Sequence, residues 1–297
     1  MKRLVCAVAV SLIALTGFAQ TDSTKAIDST KITDTVKVGN FIIIKKKGNE
    51  TYSESDKYHR HDPWDYYSYI FERRRPRNKN ISTNWFIFDL GFANYRDNTN
   101  YPDAQTGPYL TVKRASDGPV NQSTMHLNPG KSSNVNIWFF MQKLNLSKHV
   151  VNLKYGLGLE MYNFRYDSRV SFRSDPQPTA FVDSIAFTKN KLFVEYLTIP
   201  FMLNFNTTPN TRRGLSFSVG MSAGYLIASR NKQISGERGK QKYKGDLMFE
   251  PWRIATISEI GLGPVRLYGS YSINTLQKGV TKMEQYPYTV GIRFSNW

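Results

Sequence analysis

Cysteine is almost missing from this chain: there is one, Cys6, and it lies in the N-terminal apolar segment. Its surroundings do not resemble a lipoprotein cleavage site, so disulfides, thiolate ligands and cysteine nucleophiles are excluded from the remainder, as suits an oxidising compartment. Long apolar runs are missing too. Beyond residue 19 no stretch approaches the ~18 residues of a helical span. A spanning β-strand remains open, because it needs only ~9–11 residues and one apolar face. Glycine-rich phosphate loops, zinc spacings and calcium loops are absent. Acid is in short supply: 23 Asp and Glu stand against 40 Lys and Arg, a formal charge of +17.

What is present begins with an export pattern. Lys2 and Arg3 precede a nearly unbroken apolar run from Leu4 to Phe18. Gly17-Phe18-Ala19 then sets small residues before Gln20, which predicts a signal peptide over 1–19 cleaved after Ala19. An exported chain has little access to nucleic acid, so its positive charge points to acidic lipid head groups or glycans. A solvated basic surface with no particular partner is the plain alternative. Residues 20–82 read as a polar periplasmic extension. Thr21 to Thr35 has linker composition. A short β segment near 36–47 carries Gly39-Asn40, a two-residue turn pair, between β-branched residues, and Lys45, Lys46 and Lys47 would guard its edge. His59 and His61 beside Asp62 suggest a metal, but two histidines without further placed ligands do not make a site, and no cofactor is expected.

From Asn84 the grammar changes to alternation with period two. Val151, Leu153, Tyr155, Leu157, Leu159 and Met161 take one parity; Asn152, Lys154, Gly156, Gly158 and Glu160 take the other. The run 215–228 repeats this with Leu215, Phe217, Val219 and Met221 against Ser216, Ser218, Gly220 and Ser222. Eight strands are predicted near 84–95, 133–145, 150–165, 191–206, 214–229, 249–261, 264–275 and 285–297. Pro200, inside the fourth, requires an unpaired or bulged position. The links between strands alternate long and short, from 96–132 down to 262–263. An outer-membrane barrel does this, with long loops outside and short turns in the periplasm. A soluble lipocalin-like barrel would also alternate, but its apolar side chains point inward. Here the polar parity holds the small residues and the apolar parity the bulky ones. A narrow eight-stranded interior therefore predicts polar-in and apolar-out: an all-β, antiparallel up-and-down transmembrane β-barrel over 83–297.

Trp85-Phe86-Ile87-Phe88-Asp89-Leu90-Gly91, the strand Tyr196-Leu197-Thr198-Ile199-Pro200 and the Lys-flanked Ile42-Ile43-Ile44, together with the export signal, resemble the PorT-like outer-membrane β-barrel proteins of Bacteroidota. The resemblance spans roughly 36–297 and brings no catalytic set. One departure is that Trp297 shares parity with Arg293 and Ser295, whereas Val290, Ile292 and Phe294 hold the apolar phase.

Candidate sites follow from the faces. Taking Leu262-Gly263 as a two-residue turn sets Glu259 opposite Arg266 on the inward face. Laying the last strand against the first brings Arg293 opposite Asp89. Such lumen charges escape a large desolvation cost only when paired. Between 230 and 246, Arg230, Lys232, Arg238, Lys240, Lys242 and Lys244 face only Glu237 and Asp246, a third loop suited to lipopolysaccharide phosphates or simply a solvated tip. His126 near Ser123 in the first long loop is the sole base–nucleophile candidate, and a solvated loop is its plain reading. The sequence thus predicts an envelope protein with a structural or interaction role and no catalysis. Its partners would be outer-membrane lipid, lipopolysaccharide and envelope or secretion-machinery proteins. A small-solute channel, a lipid-acting barrel enzyme and the soluble barrel are the alternatives.

Overall fold

A computed structural model describes residues 34–38, 41–45, 79–207, 214–262 and 265–295. The chain divides into two units, Met1–Pro76 and Arg77–Trp297. In the first, β1 (Asp34–Val38) and β2 (Phe41–Lys45) pair antiparallel with Val38 opposite Phe41, so two residues, 39 and 40, join them. His59, His61 and Asp62 lie outside the described residues.

The second unit is a closed ring of eight long antiparallel strands. They are β3 (Ile81–Asp97), β4 (Ser133–Ser147), β5 (Val151–Tyr166), β8 (Lys189–Asn206), β9 (Leu215–Ser235), β11 (Trp252–Leu262), β12 (Val265–Ser272) and β13 (Gln285–Phe294). Each pairs with the next, and β13 closes on β3, with Arg293 opposite Asp89 and Gly291 opposite Gly91. Closure removes every edge from the ring, so backbone polar groups are satisfied without water. All eight sequence-predicted strands are present, with ends moved by up to six residues, the most at the end of β9. Three short strands in the long links were not anticipated: β6 (Val170–Arg173), β7 (Thr179–Val182) and β10 (Gly239–Lys244). Two single-turn helices, α1 (Tyr101–Ala104) and α2 (Gln122–Met125), also occur there.

The faces are those of a membrane barrel. Along β5 the polar parity is buried throughout while Leu153, Leu157 and Leu159 stand on the outer surface. Phe88, Leu90 and Phe92 on β3, Ile199 and Phe201 on β8, and Val290 and Ile292 on β13 are likewise exposed. An apolar outer band around a polar interior is the reverse of a soluble barrel. Small inward residues let the wall close tightly. A Cβ on Gly158 would sit 2.6 Å from the Ile137 carbonyl oxygen and 2.7 Å from the Trp138 ring. Pro200 occupies a gap in the β5–β8 ladder, between Gly158 opposite Thr198 and Tyr155 opposite Phe201.

Two expectations need correction. Leu262 pairs with Val265, so residues 263 and 264 form the connection and Arg266 stands opposite Gly261, not Glu259. Pro264 has no N–H to give a ladder, which disfavours the register that paired it with Gly261. The basic segment 230–246 is not a loop: Arg230 to Ser235 continues β9 and pairs with β10 as a hairpin. Trp297 lies outside the described residues.

Candidate functional site: a charged lumen and a basic outer wall

The lumen is filled in three layers. Lowest is a charge network centred on Glu259 and Asp89. The Glu259 carboxylate accepts from Lys154 Nζ at 2.7 Å, Arg293 at 2.7 Å and Arg266 at 2.9 Å. Arg293 also donates Nε and a terminal nitrogen to the two oxygens of Asp89, both at 2.7 Å. The two predicted pairs are therefore one network, bridged by Arg293. Although Glu259 and Arg266 are diagonal rather than opposite, inward residues two apart on neighbouring strands are within reach of long side chains. Asp89 accepts further from Trp138 Nε1 at 2.7 Å and Asn136 at 3.1 Å, while Arg266 donates to Ser295 and Ser216. Every side chain of the network is 6% exposed or less, so hydrogen bonding and opposite charge must supply what water does elsewhere.

A second ion pair lies nearer the loops. Arg253 donates to Glu160 at 2.7 Å and to Ser270 and Ser272, and its guanidinium stacks 5.0 Å from the Tyr162 ring centroid. Lys154, Glu160 and Arg253 were not singled out from the sequence. Their signal was there: Lys154 and Glu160 sit on the small-residue parity of β5, the parity assigned to the lumen.

Above the charges the lumen turns aromatic. Tyr162, Phe164, Tyr166, Tyr196 and Tyr95 are buried and run without a break into side chains supplied by all four long links. Tyr109, Leu110 and Met125 come from the first, Val170 and Phe172 from the second, Leu247 and Phe249 from the third, and Leu276 and Met283 from the fourth. Backbone bonds knit this cap: Ala180 N–H donates to the Tyr109 carbonyl, Thr111 N–H to the Ala180 carbonyl, and Lys278 N–H to the Met248 carbonyl. Ion pairs fasten its rim, Arg238 to Asp183, Lys278 to Asp246 and Lys282 to Asp103, each at 2.8 Å. Tyr95 hydroxyl donates to the Met125 carbonyl and ties the barrel wall to the cap.

The predicted basic residues part company. Arg238 turns over the cap to Asp183. Arg230, Lys232, Lys240, Lys242 and Lys244 stand on the outer wall. Among the described residues none has a carboxylate within ion-pairing distance. His126 and Ser123 are both exposed, and the Ser123 hydroxyl donates to Asn121 rather than to the imidazole. Among the described residues no three His, Cys, Asp or Glu side chains converge as metal ligands.

The fold and its faces define a transmembrane β-barrel with a lumen filled by its own side chains. No family profile matches the chain, and no curated protein does. Among solved structures, a similar one is Ail, the attachment invasion locus protein of Yersinia pestis, in complex with the heparin analogue sucrose octasulfate. It is 10% identical, the match covers 71% of this chain and all of that one, and the TM-score is 0.27. What makes this chain a barrel is its own closed ring of eight strands.

Proposed function

We propose that this protein resides in the outer membrane, inserted after export, and serves the cell envelope as a structural or interaction component rather than as a conduit or an enzyme. The observation that carries this is the occupation of the lumen by its own side chains, from the Glu259 network through the tyrosine layer to the loop cap, with only a small cavity left between the two charged layers, lined by Trp138, Glu160, Tyr268 and Arg293. Eight strands enclose a bore that side chains can occupy entirely, and here charged and aromatic groups fill it. What remains for the molecule to offer is its surface: an apolar band for lipid, a knit cap facing outward and a basic wall. Anionic lipid, lipopolysaccharide above all, and neighbouring envelope or secretion-machinery proteins are the partners such surfaces suit. An even number of strands returns both ends of the barrel to one side, which supports reading the 20–82 extension as periplasmic. The PorT-like reading belongs to the same proposal and rests on the sequence features alone.

Cell fractionation and planar-bilayer recording test this together. The protein should resist carbonate extraction from outer membranes, migrate differently unboiled and boiled, and add no steady conductance. Recovery from the soluble periplasm would defeat the membrane placement; a stable unitary conductance would defeat the closed lumen.

A further inference from the structure

Cations on this molecule are treated in two opposite ways. Lys154, Arg253, Arg266 and Arg293 in the lumen, and Arg238, Lys278 and Lys282 at the cap rim, are matched with carboxylates. Those on the outer wall beside the cap are stacked against one another. The β-ladder puts Arg165 of β5 opposite Lys191 of β8, Lys191 opposite Lys232 of β9, and Lys232 opposite Lys242 of β10. Neighbouring strands are ~4.8 Å apart, so four cations span about 15 Å in a single row. Lys189 and Lys240 flank Ile234 in the row above; Arg230 and Lys244 are opposite each other in the row below. Like charges directly opposed on one sheet face are destabilising. Among the described residues no carboxylate lies within ion-pairing distance of these eight. Arg165 Nε is buried with no hydrogen-bond partner. Glu195, lower on the same face, stands opposite Met161 and Ala228 rather than a cation.

The arrangement is built in. The β8–β9 register shifts between Glu195 and Tyr196, where β9 holds one extra residue, Ile227. Such a bulge changes which parity faces out. Below it Tyr225 and the other odd-numbered residues of β9 face outward; above it Arg230 and Lys232 do, while Asn231 and Gln233 turn in and are buried. Directly beneath the cationic rows the same strands carry exposed Leu197, Ile199, Tyr225 and Ile227. At the border Arg230 lies over the Phe193 ring, 4.0 Å from its centroid. Apolar band below and polycationic rows above fit an amphiphile with acyl chains and several phosphates on one headgroup.

We propose that this wall is a docking site for the phosphorylated headgroup of lipopolysaccharide, its acyl chains lying on the apolar band beneath. The proposal rests on the outer-membrane reading above and says where that lipid is held. The probe is purified lipopolysaccharide with bisphosphorylated lipid A, bound to full-length protein refolded in nanodiscs, alongside its enzymatically dephosphorylated form. Each lost cation is worth roughly fivefold in affinity near an anionic surface. The triple substitution Lys191→Gln, Lys232→Gln, Lys242→Gln should therefore weaken binding by about a hundredfold. Replacing the same three with Arg should retain it, and Lys113→Gln, Arg114→Gln, Lys131→Gln on the loops should leave it unchanged. Without lipopolysaccharide, the Gln triple should unfold at an equal or higher denaturant concentration than wild type, because it relieves repulsion. Equal binding by the Gln triple and wild type, or indifference to the phosphates, refutes the site. Tighter binding of a soluble sulfated oligosaccharide than of lipopolysaccharide would make the occupant an external polyanion and also refute it. Wild-type protein that failed to enter bilayers would refute the outer-membrane reading and this one with it; insertion with phosphate-independent binding refutes this one alone.

Discussion

Replacing Asp89 by Asn removes one negative charge from a buried cluster in which Asp89 and Glu259 face Lys154, Arg266 and Arg293. Arg293 then keeps Glu259 but loses its bidentate, charge-assisted grip at position 89, where the amide offers one neutral acceptor oxygen, and the cluster's excess of positive charge grows from one to two. Breaking a buried pair from one side costs ~3–5 kcal/mol. Arg293→Gln removes three charge-assisted bonds from the other side. It leaves Asp89 the neutral donors of Trp138 and Asn136, and Glu259 the cations Lys154 and Arg266. That single change should also cost about 3 kcal/mol. The double variant removes one charge of each sign and restores the original balance, so its cost should fall short of the sum by roughly 2 kcal/mol. Urea unfolding in lipid vesicles, followed by tryptophan fluorescence, measures the cycle. Additivity within about 0.5 kcal/mol would mean that water solvates each group separately and that the lumen is wet at this level.

Other outcomes follow from the same coordinates. Gly158→Ala should destabilise by about 1–3 kcal/mol, since the new methyl meets the Ile137 carbonyl and Trp138 at under 3 Å. Leu157→Arg, one residue along on the lipid face, should cost ~2–4 kcal/mol near the bilayer midplane, with Leu157→Ser tolerated far better; refolding yields in vesicles of different thickness separate the two mechanisms. Acid should loosen the cap before the barrel. Burial alone raises the Asp183 carboxyl, but the hydrogen bond from Arg238, the Ile185 amide and the charge of Arg173 outweigh it and hold it below the usual carboxylate range. The Asp246 carboxyl is lowered chiefly by Lys278. A folded carboxyl below its unfolded value of about 4 contributes stability above that pH and loses it as pH falls through the folded value. Limited proteolysis with pepsin should thus open the loop links below about pH 4 while the unboiled, folded band persists; a cap that stayed resistant down to pH 2 would show that the rim ion pairs contribute little.

Much of this fold was legible because a strand with one side in lipid and one in a narrow bore must alternate both in polarity and in size. Val151 to Met161 displays both, and β5 came out within a residue of its predicted ends. Arg293 fell opposite Asp89 because inward parity and strand length leave few registers open at the seam. The β11–β12 register was misjudged by two residues because polarity alone does not choose between even shifts; the missing N–H of Pro264 was the available clue. The cap was not legible. Tyr109, Phe172, Phe249 and Met283 lie in the four long links, in irregular chain or in a strand too short to show a period, and only the fold shows that they meet. The basic wall was half seen. The cations of 230–244 are adjacent in sequence and form a visible cluster, whereas Arg165, Lys189 and Lys191 join them only through cross-strand pairing.

The extra residue at Ile227 has a consequence for how this wall can change over time. In an uninterrupted strand, adding or removing one residue above the membrane keeps the spanning part fixed but inverts every side chain beyond the change. A strand that already contains one such shift shows that the ring tolerates it without losing closure on either side. The spanning half of β9 and its protruding half are then separate cassettes, each with its own phase. The protruding half, with β10 folded back on it, can lengthen, shorten or swap its charge while the lipid-facing rows and the lumen network stay in place. Relatives of this barrel should vary most in the strand pair above Ile227 and least in the inward residues below it.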